Sequence, residues 1–183
     1  MTNKIPFCAG RTLKYRVAES RQRLYRVALA WCGDAMLADD LVQETLANGI
    51  DRCHQLRDPS RMFSWLYSIL NNNWRQHLRT RKPHDELDEG LPSEAGGPLE
   101  NCRELEIVAR VRAAVAGLPA DQRQVISLVD LEDLSYCEVA EALNIPIGTV
   151  MSRLHRARKN LLARLETAEK RGSRHSERIR IVK

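Results

Sequence analysis

Residues 135–162, SYCEVAEALNIPIGTVMSRLHRARKNLL, constrain the fold more than any other stretch of this chain. They encode two amphipathic helices around a tight turn. Ser135 is placed to cap the first, because its hydroxyl accepts from the free N–H groups of the opening turn. Glu138, three residues on, completes a capping box. Val139, Ala140 and Leu143 form one apolar face, with the small Ala140 expected where the two helices approach closely. Asn144-Ile145-Pro146 interrupts the pattern: Asn tolerates a left-handed backbone, and Pro lacks the N–H that a continuing helix needs. The second helix is expected to open near Gly148-Thr149. Val150, Leu154, Ala157, Leu161 and Leu165 then recur at helical spacing, and Ser152, His155, Arg156 and Lys159 fall on the opposite side. Between Ile147 and Arg164 there are five Lys/Arg and no acid. This is a helix-turn-helix pattern with a basic outer face, the kind that enters a DNA major groove. The stretch alone also allows a helical hairpin whose basic face is merely solvated.

The rest of the chain is written in helices as well. Residues 12–32 predict one helix, with Leu13, Val17, Leu24, Val27, Ala28 and Trp31 buried and Arg16, Arg21, Arg23 and Arg26 exposed; Gly33 ends it as a left-handed C-cap. Residues 35–51 predict a second. Leu37, Leu41, Val42, Thr45 and Leu46 face a core, and Asp40, Gln43, Glu44, Ala47 and Asp51 line the other side. That side is either an ordinary acidic surface or a docking face for a basic partner, since Asp40, Gln43 and Glu44 present acceptors one turn apart. Residues 52–62 read as a loop around Asp58-Pro59-Ser60. Residues 62–81 predict a third helix with Phe63, Leu66, Tyr67, Leu70, Trp74 and Leu78 in a core stripe. Trp65, Ser68, Asn72, Arg75 and Arg79 lie on its far side. An aromatic ring beside amides and arginines offers unpaired bases a face to stack on, edges to bond and charge for phosphates; Trp65 also suits packing under the preceding helices.

Composition then shifts. Residues 83–100 hold three Pro, three Gly and six acids, with no Lys or Arg, which is the signature of a flexible, self-repelling linker. Helices resume at 102–117, closed by Gly117, and at 119–131, with Pro119 in the first turn and Val125, Ile126, Leu128 and Val129 inward. From Lys170 to Lys183 there are six Lys/Arg and one acid, a tail expected to be frayed and to add nonspecific phosphate attraction. The chain therefore reads as all-α: two small helical domains joined by a flexible acidic linker, the second a helix-turn-helix domain.

Several function classes receive no support. The net charge of +5 suits a polyanionic partner. No apolar run approaches the ~20 residues of a membrane span, and the first residues lack the apolar core of a signal peptide. The five cysteines are scattered, with no metal-ligand spacing; no metal or cofactor is expected. Glycine-rich phosphate loops are missing. Cys53-His54 offers an adjacent nucleophile–base pair, but neighbours in a loop rarely converge.

Four stretches in order carry a resemblance. LADDLVQETL at 37–46, FSWLYSILNN at 63–72 continuing into WRQHLRTR, LPADQRQVISLVDLEDLSYCEVAEAL at 118–143, and IPIGTVMSRLHRARKNL at 145–161 together resemble the bacterial sigma-70 family, in its small extracytoplasmic-function (ECF) group. The resemblance implies a region 2-like domain at 12–82, a linker at 83–101, a region 4-like domain at 102–168 and a basic tail at 169–183. It implies no enzyme chemistry, a cytoplasmic location, and three sets of contact residues. Asp40, Gln43 and Glu44 match positions that bind core RNA polymerase. Arg57, Arg61, Trp65, Asn72, Arg75 and Arg79 match the melted −10 promoter DNA site, with Asn72 at the position that reads an extruded base and residues 56–61 as the loop that cradles it. Thr149, Ser152, Arg153, His155, Arg156 and Lys159 match the −35 recognition helix. Arg153 suits either a phosphate or a stem packed on the core. Arg156 is suited to guanine, whose two major-groove acceptors its fork can bond. The resemblance also implies an anti-sigma factor partner, whether or not that partner is membrane-bound. This sequence departs from the pattern at Gln76, where an acid is usual, at Asp133, where glycine is usual, and at Met151, where a basic residue is common. A helix-turn-helix regulator that binds duplex operator DNA without polymerase is the competing reading; it leaves the first half of the chain unexplained.

Overall fold

In a computed structural model, residues 7–80 and 101–180 are described, and these form helices joined by short turns, with no strand among them. The first half holds α1 (Phe7–Glu19), α2 (Arg21–Cys32), α3 (Ala35–Arg52) and α4 (Met62–Thr80). The second holds α5 (Asn101–Ala116), α6 (Ala120–Ile126), α7 (Tyr136–Leu143) and α8 (Ile147–Arg180). The acidic linker lies outside the described residues.

The helix expected over 12–32 is two helices. Ser20 is buried, and its hydroxyl donates to the Val17 carbonyl at 2.6 Å. Its backbone N–H reaches the same carbonyl at 3.1 Å instead of continuing the regular ladder. A serine side chain competing for a backbone acceptor in this way ends one helix and lets the next leave in a new direction. Gly33 closes α2 with φ 73°, as its position predicts. Asp34 then caps α3, its carboxylate accepting from Met36 N at 2.8 Å and Leu37 N at 3.1 Å. Leu24, Val27, Ala28 and Trp31 of α2 pack with Leu41 and Val42 of α3 and with Leu66, Tyr67 and Leu70 of α4. Leu78, expected in the α4 core stripe, is exposed instead: α4 extends past the helices it packs on.

In the second half, the helix expected over 119–131 is regular only to Ile126. Residues 127–131 form a wider, π-type turn, and the Leu134 N–H closes back onto the Leu128 carbonyl at 3.1 Å. Asp133 leaves this turn with φ 56°, a left-handed conformation that explains why glycine suits the position. The capping box forms as written: the Ser135 N–H donates to the Glu138 carboxylate at 2.9 Å, and the Glu138 N–H to the Ser135 hydroxyl at 3.3 Å. Asn144 adopts φ 53° and turns the chain into α8. Ala140 is only half-buried, and Ala142 takes the buried position. Helix α8 runs on to Arg180, beyond the expected end near Leu165 and through the stretch expected to be frayed. No proline interrupts it there, and a lone Gly172 weakens a helix without forbidding it.

The two halves are docked on each other. Helix α4 lies along α7, and α2 meets α6 and the turn that follows it. One continuous cluster of buried side chains runs from Leu13 to Ala157 across both halves. The sequence pattern of two separate cores does not anticipate this seam.

Candidate nucleic-acid interface

Helix α3 buries Ala38, Leu41, Val42, Thr45 and Gly49. That choice of face turns Asp40, Gln43 and Glu44 outward, all three exposed on adjacent turns. Asp39, one residue away, is instead paired with Arg21 at 2.7 Å. The outward trio is a patch of acceptors and negative charge available to a basic surface.

Residues 55–61 leave α3 through two short 3-10 turns. Asp58 organises the second: its carboxylate accepts from the Ser60 N–H at 2.9 Å and the Ser60 hydroxyl at 2.7 Å, and Pro59 sets the first turn position. Those hydrogen bonds hold the Asp58 carboxyl below its ordinary range. The loop and the start of α4 enclose a cleft of about 330 Å³ lined by Gln55, Leu56, Arg57, Asp58, Arg61, Ser64, Trp65 and Ser68, with Glu141 of α7 at its edge. Trp65 is half-buried. It both packs under the preceding helix, near Gly49, and lines the cleft, so the two sequence readings of this ring hold together. Asn72, Arg75 and Arg79 do not line the cleft. They are exposed and continue from Trp65 and Ser68 along one face of α4 at three- and four-residue steps. The structure thus gathers Arg57, Arg61 and Trp65 in the cleft and strings the other three along the helix beyond it.

The three consecutive asparagines 71–73 separate by helix geometry. Asn73 points inward and donates to the Thr45 hydroxyl at 3.2 Å. Asn71 is buried at the seam, where its amide lies 3.4 Å from the Ala142 carbonyl. Asn72 alone faces solvent.

Helix α8 buries Val150, Leu154 and Ala157, so Ser152, His155, Arg156 and Lys159 emerge together on the exposed side. Thr149 is half-buried at the helix start, and its carbonyl accepts from the Ser152 hydroxyl at 3.1 Å. Arg156 lies back along the helix, with Nε 3.2 Å from the Ser152 carbonyl. Arg153 is half-buried and paired with Asp121 at 3.3 Å, which favours the packed stem over the phosphate contact. Arg158 is also engaged, with Nη2 2.6 Å from Asp130. The basic outer face is therefore open: Arg156 and Lys159 have no acidic partner among the described residues, and the His155 imidazole lies beside them.

Sequence reasoning missed a polar cluster at the seam. Glu132 has a fully buried side chain. It accepts from Arg23 Nε at 2.6 Å, Arg26 Nη2 at 3.2 Å and the Tyr67 hydroxyl at 2.5 Å. Burial first, then the bond to Glu132, push the Tyr67 phenol far above its ordinary range. Burial works against the Arg23 guanidinium, yet Glu132 outweighs it and raises the group. The available signal was Arg23 and Arg26 one turn apart on a helix, and it read equally well as solvated charge. Cys53 and His54 do not pair: the thiol is buried, and the exposed imidazole sits 3.0 Å from the Asp51 carbonyl. Among the described residues, no group of three or more His, Cys, Asp or Glu is placed to hold a metal, and no helix is long and apolar enough to cross a membrane.

Two family models account for most of this architecture. Residues 17–84 match sigma-70 region 2, and residues 109–161 match sigma-70 region 4. The chain is 36% identical over 143 residues to the ECF RNA polymerase sigma factor EcfG of Rhodopseudomonas palustris, covering 75% of this chain and 76% of that one. The chain belongs to the ECF sigma factors of the sigma-70 family. It is also similar to the ECF RNA polymerase sigma factor SigE of Mycolicibacterium smegmatis, at 32% identity over 150 residues, spanning 79% of this chain and 58% of that protein. A solved sigma factor, RpoE in complex with the anti-sigma factor NepR from Bartonella quintana, superposes with a TM-score of 0.72 at 26% identity, covering 85% of this sigma factor and 98% of that chain. In this ECF sigma factor, the region 2 match takes in the end of α1 and all of α2 to α4, and the region 4 match runs from within α5 into α8. The acceptor face of α3 and the 55–68 cleft lie in region 2, and the basic face of α8 lies in region 4.

Proposed function

We propose that this chain directs core RNA polymerase to specific promoters and helps to open them, in the cytoplasm, and that an anti-sigma factor holds it in check. The acceptor face of α3, with Asp40, Gln43 and Glu44, docks on the polymerase. The outer face of α8 enters the −35 major groove, where Arg156 bonds a guanine edge and Ser152, His155 and Lys159 contact neighbouring bases and phosphates. Region 2 stabilises the melted −10 strand. A base turned out of the stack enters the cleft at Arg57 and Arg61 against the Trp65 ring, Asn72 bonds a base edge, and Arg75 and Arg79 follow the backbone. Holding the base out makes unpairing less costly, and polymerase performs the chemistry.

The observation that carries this reading is the presence of both regions, in order, on one chain. A regulator binding duplex operator alone has no use for the first. The anti-sigma partner is supported by the complex in which the structural relative was solved. Binding of the chain to purified core RNA polymerase tests the reading: the wild type associates, and Glu44→Arg, an exposed substitution, loses association while its helical circular dichroism is unchanged. Retained binding by a folded Glu44→Arg contradicts the α3 assignment.

A further inference from the structure

Helix α8 carries an apolar margin that the polar contacts assigned to it leave unused. Ile147 and Met151 are 45% and 53% exposed, one turn apart on the same side of the helix. At about 100° per residue, Met151 falls beside His155, between the buried stripe of Val150, Leu154 and Ala157 and the outer face of Ser152, Arg156 and Lys159. Nothing lies within 4 Å of the Cβ position of the neighbouring Gly148, so the first turn presents bare backbone next to Met151.

The surroundings suit a polyanion. From Ile147 to Lys159 the helix holds no acid. Asp130, on the Met151 side, is neutralised by Arg158 at 2.6 Å. The margin is thus continuous with the basic face and carries nothing that repels phosphate.

The chemistry of the side chain then selects among the bases. A thioether donates no hydrogen bond and accepts only weakly. It gains little from the polar edges of guanine, adenine or cytosine. The thymine C5-methyl is the apolar group that a standard base shows in the major groove, and an unbranched, polarisable side chain adapts well to it. Met151 lies five residues before Arg156, about 7.5 Å along the helix. That is more than twice the ~3.4 Å step between base pairs, so the two side chains address different pairs.

We propose that Met151 is a specificity-determining residue that reads one thymine methyl group in the −35 major groove. The −35 element then has a polar determinant at Arg156 and an apolar one at Met151. The inference rests on the reading that α8 enters that groove.

The full chain bound to core RNA polymerase is tested on a promoter duplex taken from a library selection. Each −35 thymine, on either strand, is replaced in turn by uracil, which keeps the pairing and removes only the methyl. At one position the replacement weakens wild-type binding about fourfold, the effect of uncovering one methyl group. Met151→Ala, an exposed substitution to a strong helix former, binds the thymine duplex less tightly and ignores that replacement. Cytosine at the same position loses affinity, and 5-methylcytosine regains part of it with the wild type only. A −35 block with no required thymine overturns the inference. So does wild-type binding that ignores uracil at every position, or a Met151→Ala variant that keeps the sensitivity. A Met151→Ala variant that instead loses polymerase or anti-sigma binding marks the margin as a protein contact and also overturns it. Arg156→Ala separates the two levels. If it relaxes one base pair while no thymine senses its methyl, the groove reading stands and the Met151 assignment falls. If neither variant alters duplex binding, the groove reading itself falls.

Discussion

Asp133 occupies a backbone conformation that glycine accepts freely and L-residues do not, and replacing it separates backbone strain from side-chain contact. Its φ is 56°, and its carboxylate has no partner among the described residues. A left-handed conformation costs an L-residue about 1–2 kcal/mol, with Asp at the lower end. Glycine avoids that cost but loses about 0.5–1 kcal/mol through its freer unfolded chain. Asp133→Gly is therefore expected to stabilise the protein by about 0.5 kcal/mol. Gly33→Ala supplies the mirror experiment. Its φ is 73°, and an added Cβ meets nothing within 4 Å, so the substitution carries the strain with no clash and is expected to cost about 1 kcal/mol. Thermal melts and urea titrations of both variants read the effect, at about 2–4 °C per kcal/mol for a chain of this size. A destabilised Asp133→Gly refutes the strain argument and assigns the Asp133 side chain a role of its own.

Three further expectations follow from named contacts. Arg156→Ala is expected to lose about 1–3 kcal/mol of promoter affinity confined to one −35 base pair, measured with single-substitution duplexes; a uniform loss across all of them marks a phosphate contact instead. Ser135→Ala is expected to cost about 1 kcal/mol of stability, since the capping box loses its hydroxyl, and an unchanged melt contradicts this. The Ser135 hydroxyl and N–H hold the Glu138 carboxyl below its ordinary value of 4.5. The stability Glu138 contributes is thus complete above that value and lost as the pH falls through the lower folded one. Glu138→Gln is expected to flatten the acid side of the stability profile below about pH 4.5, and an identical slope in both proteins contradicts it.

The helix-turn-helix was legible because its signals are local. A capping box, an asparagine in the left-handed turn and a four-residue apolar repeat each act within one or two turns of chain. The outward faces of α3 and α8 followed from the same periodicity, which fixes direction once the buried stripe is known. The break at Ser20 was not legible, because a serine inside an apolar repeat is compatible with a continuous helix until its hydroxyl takes the Val17 carbonyl. The seam was illegible for a different reason. Glu132 lies more than a hundred residues from Arg23, and no local pattern records such a pairing. Trp31 was read as core of its own helix and Arg61 as a DNA contact, and each also serves the other half of the chain, as does Asn71. The hidden part of this sigma factor is the part made by contacts between its two regions.

The central claim is that two helical modules lend a polymerase its choice of start site. Run-off transcription by core RNA polymerase with this chain, on a promoter library randomised around −35 and −10, tests it most directly. The account predicts productive templates enriched at two separated blocks, with the −35 block relaxed at one base pair by Arg156→Ala. Transcription that is unchanged by omission of the chain, or templates enriched at a duplex block with no dependence on polymerase, contradicts it.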